Sequence, residues 1–220
     1  MTDEEVYQEL ERDREYVTRW WRHTLSDQRR RVLKCEKFPL TLWFDYTSKR
    51  KNRYLFFTRI FDKKMKAILT GIGVLRHTKE GLAVYTSWLQ DQKLISPMVL
   101  TPHMFKQYAS EKRCNVKKTG IDLIKHYFTH NSHGKDNHNQ DIVGRSVRYN
   151  GETHLSCCVD EGVLLGQKHG DLFIARTFIT YQMCGGLQLQ EFESSRKEIL
   201  TDRELYDKAK EYYRSRLFDE

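Results

Sequence analysis

Proline is scarce in this chain, at three in 220 residues, while aromatics are plentiful, with twelve Tyr and eleven Phe. That balance excludes a disordered tail or a proline-rich linker and leaves a folded protein. Long apolar runs are missing as well, and none approaches the length of a membrane span. The opening TDEEVYQELERDREYV is acidic and helical in pattern, the opposite of a secretory leader. A soluble, cytoplasmic protein without a membrane partner is therefore expected. The five cysteines (Cys35, Cys114, Cys157, Cys158 and Cys184) are scattered, odd in number and without a CxxC pair. They read as reduced, mostly buried thiols, with Cys157 and Cys158 facing opposite sides of one strand. There is no GxxxxGK[ST] phosphate loop, no GxGxxG and no GxSxG elbow, so no cofactor is expected.

What the chain has in surplus is positive charge. The formal net charge is +8 and the sequence pI is about 9.2. Such a surplus fits RNA, another polyanion or an acidic protein as partner. It fits equally a solvated basic surface.

The pattern predicts a single α+β domain over residues 1–220, a twisted, mainly antiparallel sheet with helices packed on it. Thr2 and Glu5 form a capping box for a long N-terminal helix over residues 1–35. Its apolar stripe is Val6, Leu10, Val17, Trp21 and Leu25. Residues 38–90 read as a β-meander of LTLWFDY, RYLFFTRIF, KAILTGIGVL and LAVYTSWL, with SKRKNR as a basic hairpin turn. Two helices follow over residues 101–130. Thr101 caps the first with Pro102 at N1, and Thr119 with Asp122 opens the second. A second β region spans residues 142–181, and charged C-terminal helices span residues 187–218.

The chemistry-bearing residues gather in the middle of the chain. His103 falls in the first turn of its helix, where the positive end of a helix dipole favours a neutral imidazole. A neutral imidazole is the form that a general base requires. Lys106, Lys112, Arg113, Lys117 and Lys118 follow within a few turns, and Arg145, Arg148 and Arg176 lie on later strands. Together these would hold a phosphate backbone and steady charge on a pentacoordinate phosphate. Tyr108 is read either as an acid or base-stacking group or as core, since Met104 shares its face. His126 and His130, four apart on a helix, with His133 or His138, are an alternative set of metal ligands. The simpler account of these histidines is exposed side chains beside a polar loop.

A helix carrying His103, Phe105 and Tyr108, followed by a sheet closing on Arg176-Thr177 within FIARTFIT, resembles the barnase, EndoU, colicin and RelE-like fold of metal-independent ribonucleases and toxins. The resemblance covers about residues 101–180. It implies His103 as general base, with Tyr108, Lys112, Arg176 and Thr177 completing a prokaryotic, toxin-like ribonuclease site. Gln107 and Glu111 stand where that helix carries arginines, and Lys112 and Arg113 are the nearby cations. Two alternatives stay open. One is a non-enzymatic phage or mobile-element protein that binds nucleic acid or an acidic partner. The other is a histidine-ligated metal protein.

Overall fold

A computed structural model describes residues 2–38, 40–60, 63, 68–90, 93–131, 146–149, 152–170 and 172–197. In chain order the elements are α1 (Asp3–Asp27), α2 (Arg29–Lys34), β1 (Leu40–Thr47), β2 (Arg53–Ile60), β3 (Ile68–Thr78), β4 (Gly81–Gln90) and β5 (Lys93–Leu100). Then come α3 (Pro102–Ala109), α4 (Gly120–His130), β6 (Ser146–Tyr149), β7 (Glu152–Val159), β8 (Gly162–His169), β9 (Leu172–Thr180) and α5 (Gly186–Lys197). This is an α+β protein with mostly antiparallel strands. No helix among the described residues is long and apolar enough to cross a membrane. Thr201 and the later apolar positions of the expected C-terminal helices lie outside the described residues. Strand β5 lies beyond the meander expected to end at residue 90, and Pro97 within it gives that run a loop-like texture.

The chain forms two compact units, one within residues 1–75 and 87–95 and the other within 76–86 and 96–201. In the first, β1, β2 and β3 pair antiparallel, with Leu40 opposite Ile60 and Arg53 opposite Leu75. The capping box forms as expected: the Thr2 hydroxyl accepts from the Glu5 N–H at 3.2 Å, and the Glu5 carboxylate accepts from the Thr2 N–H at 2.6 Å. The helix breaks at Gln28, whose N–H turns to the Leu25 carbonyl, so the N-terminal segment is two helices rather than one. Val6, Leu10, Val17 and Trp21 are buried, and Trp21 stacks on Phe56 with centroids 5.3 Å apart.

One charged residue sits in that apolar stripe. Asp13 is 2% exposed, between Leu10 and Val17 on the helix. Its Oδ2 accepts from Ser48 Oγ at 2.6 Å, Asn52 Nδ2 at 2.9 Å and the Tyr54 hydroxyl at 3.0 Å. Arg50 approaches the other oxygen at 3.5 Å. The basic turn expected at residues 48–53 is thus tied to α1 by a buried carboxylate, with Lys51 in the left-handed region at φ 64°.

In the second unit β9, β8, β7 and β6 form an antiparallel run, and β5 joins β9 in parallel through Met98–Phe173 to Leu100–Ala175. Leu165 pairs with Thr177 but Gly166 pairs with Ala175, so Arg176 is an extra residue, a β-bulge. The bulge changes which alternate residues face inward. It lets Phe173, Ala175 and Phe178 all be fully buried. Gly166 is needed opposite the bulge, because a Cβ there would meet the Ile174 carbonyl oxygen at 1.9 Å. Met104, Phe105 and Tyr108 of α3 and Leu123, Ile124, Tyr127 and Phe128 of α4 supply the rest of this core. Tyr108 meets Tyr127 and Phe178 edge-to-face at 5.0 and 5.1 Å. Cys157 and Cys158 are both buried, and all five cysteines are free.

Two outcomes follow. Asp13→Ala leaves three buried donors without an acceptor, and urea unfolding should show a loss of about 2–3 kcal/mol. Gly166→Ala should lower the thermal midpoint, at a cost of about 1–3 kcal/mol, because a backbone carbonyl has to move.

Candidate functional site

The start of α3 is built as its sequence requires. Thr101 Oγ1 accepts from the Met104 N–H at 3.2 Å, and Pro102 occupies the first turn, where no donor is needed. Thr101 also reaches out of the helix: its N–H and hydroxyl both donate to the Ala175 carbonyl, at 3.2 and 2.9 Å. The first turn of α3 is therefore pinned to β9 beside the bulged Arg176. His103, two residues past Thr101, is exposed, as are Lys106 and Arg176, while Thr177 is half-buried.

The side chain of His103 faces its own helix. The Gln107 amide nitrogen lies 3.2 Å from His103 Nε2; an amide NH₂ only donates, so Nε2 accepts and its lone pair is engaged. The following segment, residues 110–119, folds back onto the end of α3. Cys114 N–H donates to the Tyr108 carbonyl at 3.2 Å and Val116 N–H to the Ala109 carbonyl at 3.1 Å. Lys112, Lys117 and Lys118 project from this segment as exposed residues. Arg113 turns inward, its Nη1 3.5 Å from the Gln107 carbonyl. Arg148 belongs to β6, opposite Thr153. Arg145, His133 and His138 lie outside the described residues.

Tyr108 is 0% exposed, so it has no open ring face on which a base can stack. Its hydroxyl instead joins a polar network that the sequence did not reveal. It donates to Glu161 Oε2 at 2.6 Å and lies 3.1 Å from His126 Nδ1. A phenol has one proton, and an ionised carboxylate only accepts. Tyr108 therefore gives its proton to Glu161, and His126 Nδ1–H donates to the phenol oxygen. Glu161 Oε2 also accepts from Asn131 Nδ2 at 2.9 Å, and Asn131 Oδ1 accepts from the Glu161 N–H at 3.0 Å. Asn131 is 2% exposed and ends α4; its amide also donates to the Tyr127 carbonyl at 3.2 Å. The network ties α3, the end of α4 and the β7–β8 turn together.

Burial, then the hydrogen bond to Glu161 and its charge, push the Tyr108 phenol well above its ordinary value. Burial and Glu161 likewise push the Cys114 thiol up to about 11, which removes it as a nucleophile. His126 is held below the usual histidine value, first by burial and then by His130 and Lys118, with Glu161 acting the other way. In its neutral form, with Nδ1 protonated toward Tyr108, His126 carries its lone pair on Nε2.

The arrangement does not suit a metal at the His126–His130 pair. Their rings stack at 4.0 Å with planes 16° apart, so the in-plane lone pairs run side by side instead of converging on one ion. His130 Nδ1 is turned to the His126 carbonyl at 2.8 Å. No group of three or more metal-ligating side chains occurs among the described residues. Thr119 stands at the N-cap of α4 without the expected side-chain bond.

Of the groups that matter here, Glu161 and Asn131 were missed from sequence. Asn131 had a signal, as an Asn directly after an apolar helix. Glu161 had none, since an acidic residue in a hairpin turn is ordinarily solvated. No protein-family model, curated protein or solved structure matches this chain.

Two measurements check the network. Glu161→Ala leaves the Tyr108 hydroxyl and the Asn131 amide without their acceptor and should cost about 1–3 kcal/mol in urea unfolding. The neutral His126 ring stabilises the fold fully above its ordinary value of 6.5, and that contribution is lost as the pH falls through the lowered value. The urea midpoint should therefore drop as the pH falls from about 6.5 through the lowered value and level off below it. The drop should be shallower in His126→Asn, which keeps an N–H for Tyr108 and does not titrate.

Proposed function

We propose that this protein binds nucleic acid through the exposed cationic surface of its second unit. The observation that carries the reading is the double hydrogen bond from Thr101 to the Ala175 carbonyl at the bulge. It fixes the start of the helix that bears His103 and Lys106 against the strand bearing Arg176, and all three are exposed. A bulge that frees an arginine from ladder pairing beside a helix start is suited to a phosphate backbone. Lys112, Lys117 and Lys118 extend the positive surface along the ordered segment that follows α3. Arg113 is assigned to closing α3 and not to the ligand, because it points at the Gln107 carbonyl. The overall charge of +8 supports the same reading through long-range attraction.

Fluorescence anisotropy with single-stranded RNA over a range of salt concentrations tests it. Affinity should fall steeply with salt, and Arg176→Ala and Lys106→Ala should each flatten the slope of log K against log salt by about 0.7 per lost contact. Binding to polyglutamate with none to RNA or DNA would replace this reading with an acidic protein partner.

A further inference from the structure

The long N-terminal helix of the first unit changes character halfway. Up to Arg19 its outer side is a solvated ion-pair face, where Arg12, Arg14 and Arg19 each meet a glutamate one turn back, at 2.6, 3.2 and 2.9 Å. Beyond Arg19 the pairing stops. Between residues 16 and 35 one acidic side chain, Asp27, stands against six lysines and arginines, and it lies 4.0 Å from His23. Arg22, Arg29, Arg30, Arg31 and Lys34 are exposed and have no acidic partner among the described residues.

These cations share one side of the chain. Gln28, where α1 gives way to α2, keeps a right-handed backbone at φ −79° and ψ −4°. Trp21 before it and Val32 after it are 7% and 0% exposed. Eleven residues make three helical turns, so one inward stripe runs through the break and the outward side runs with it. That outward side carries Arg19, Arg22, Arg30 and Lys34 over about 20 Å. Helix electrostatics explains only part of the run. Arg31 and Lys34 fall in the last turn of α2, where cations are favoured. Arg22, Arg29 and Arg30 fall in the last turn of neither helix.

We infer that the outer face of α1 and α2 is a docking site for the phosphodiester backbone of a nucleic-acid duplex. It belongs to the first unit alone and does not depend on the second-unit surface proposed above. Guanidinium groups offer paired donors to phosphate oxygens, and a row of them held on a helix suits phosphates that are themselves held in a row. A single strand fits less well, because such strands are gripped by bases stacking on open aromatic rings. Here Trp20 and Trp21 turn inward onto Tyr46 and Phe56, at 4.4 and 5.3 Å. The exposed Tyr16 ring has Lys49 Nζ over it at 5.9 Å. A lipid surface also fits less well, since an interfacial helix needs an apolar side. Beyond Tyr16, Leu33 is the one exposed large hydrophobic residue of α1 and α2.

The test measures binding of the full chain to a DNA duplex, an RNA duplex and a single strand of each over a salt series. Binding to either duplex, falling steeply with salt, supports the inference, and the two arms say which duplex supplies the backbone. Arg22→Gln, Arg29→Gln and Arg30→Gln combined should weaken duplex binding by about tenfold or more at low salt. They should also flatten the slope of log K against log salt by about 0.9 per lost contact. The set Arg22→Lys, Arg29→Lys and Arg30→Lys keeps the charges and should keep the slope. Both sets should melt with the wild type, since these side chains touch no partner. An unchanged duplex affinity and slope in the Gln set would overturn the inference. A Lys set as weak as the Gln set would assign the guanidinium groups to the fold and overturn it as well. Equal weakening on single strands would remove the duplex assignment. Binding to phosphatidylserine vesicles or polyglutamate, with none to either duplex, would replace it with a membrane surface or an acidic protein. The second-unit reading fails separately, if Arg176→Ala and Lys106→Ala leave single-stranded RNA binding intact.

Discussion

The second unit depends on one carboxylate. Glu161 sits in the β7–β8 turn, where an acidic residue would ordinarily point to water, and instead it receives the Tyr108 hydroxyl and the Asn131 amide. A polar group buried without partners costs several kcal/mol, so a network of this kind is useful only when each member is satisfied. Here Asn131 uses both its donors and its acceptor, and the Tyr108 oxygen both donates and accepts. The result is that two helices and a strand turn are locked at one point. The same lock holds His126 by a single ring nitrogen.

A second constraint acts at the other end of α3. Thr101 caps the helix with its hydroxyl oxygen and donates the hydroxyl proton to Ala175, so one side chain serves both local and tertiary structure. Ala175 precedes the bulge, and Gly166 across from it gives the strands room to approach. Thus α3 is fastened to β9 at its start and to Glu161 through Tyr108 near its end. Between these points its inner face carries the core residues Met104 and Phe105, and its outer face carries His103, Lys106 and Gln107.

Much of the fold was legible locally, because local rules govern it. The Thr2–Glu5 capping box, the Thr101–Pro102 start and the apolar stripe of α1 each follow from short-range geometry and appear as expected. Strands of aromatic and branched residues were equally visible. Others were not. Strand β5 contains Pro97, and its Met98 to Leu100 pair in parallel with β9, a contact between residues more than seventy positions apart. The bond expected from the Thr119 side chain is absent, and Gly120 opens α4 at φ 55°, a start the spacing of Thr119 and Asp122 does not encode.

The candidate site divides in the same way. By itself the sequence determined that the chain is basic, that it forms an α+β fold, and that its histidines and lysines concentrate between residues 100 and 140. Those are matters of composition and periodicity. Only the tertiary structure decided what each histidine faces. His103, conspicuous at a helix start, turns to Gln107, while His126, which resembled a solvated neighbour of a polar loop, is the one backed by a phenol and a carboxylate. The physical reason is that a side chain's chemistry is set by its hydrogen-bond partners, and Glu161 reaches Tyr108 across fifty-three positions of sequence, a distance over which no local pattern carries information.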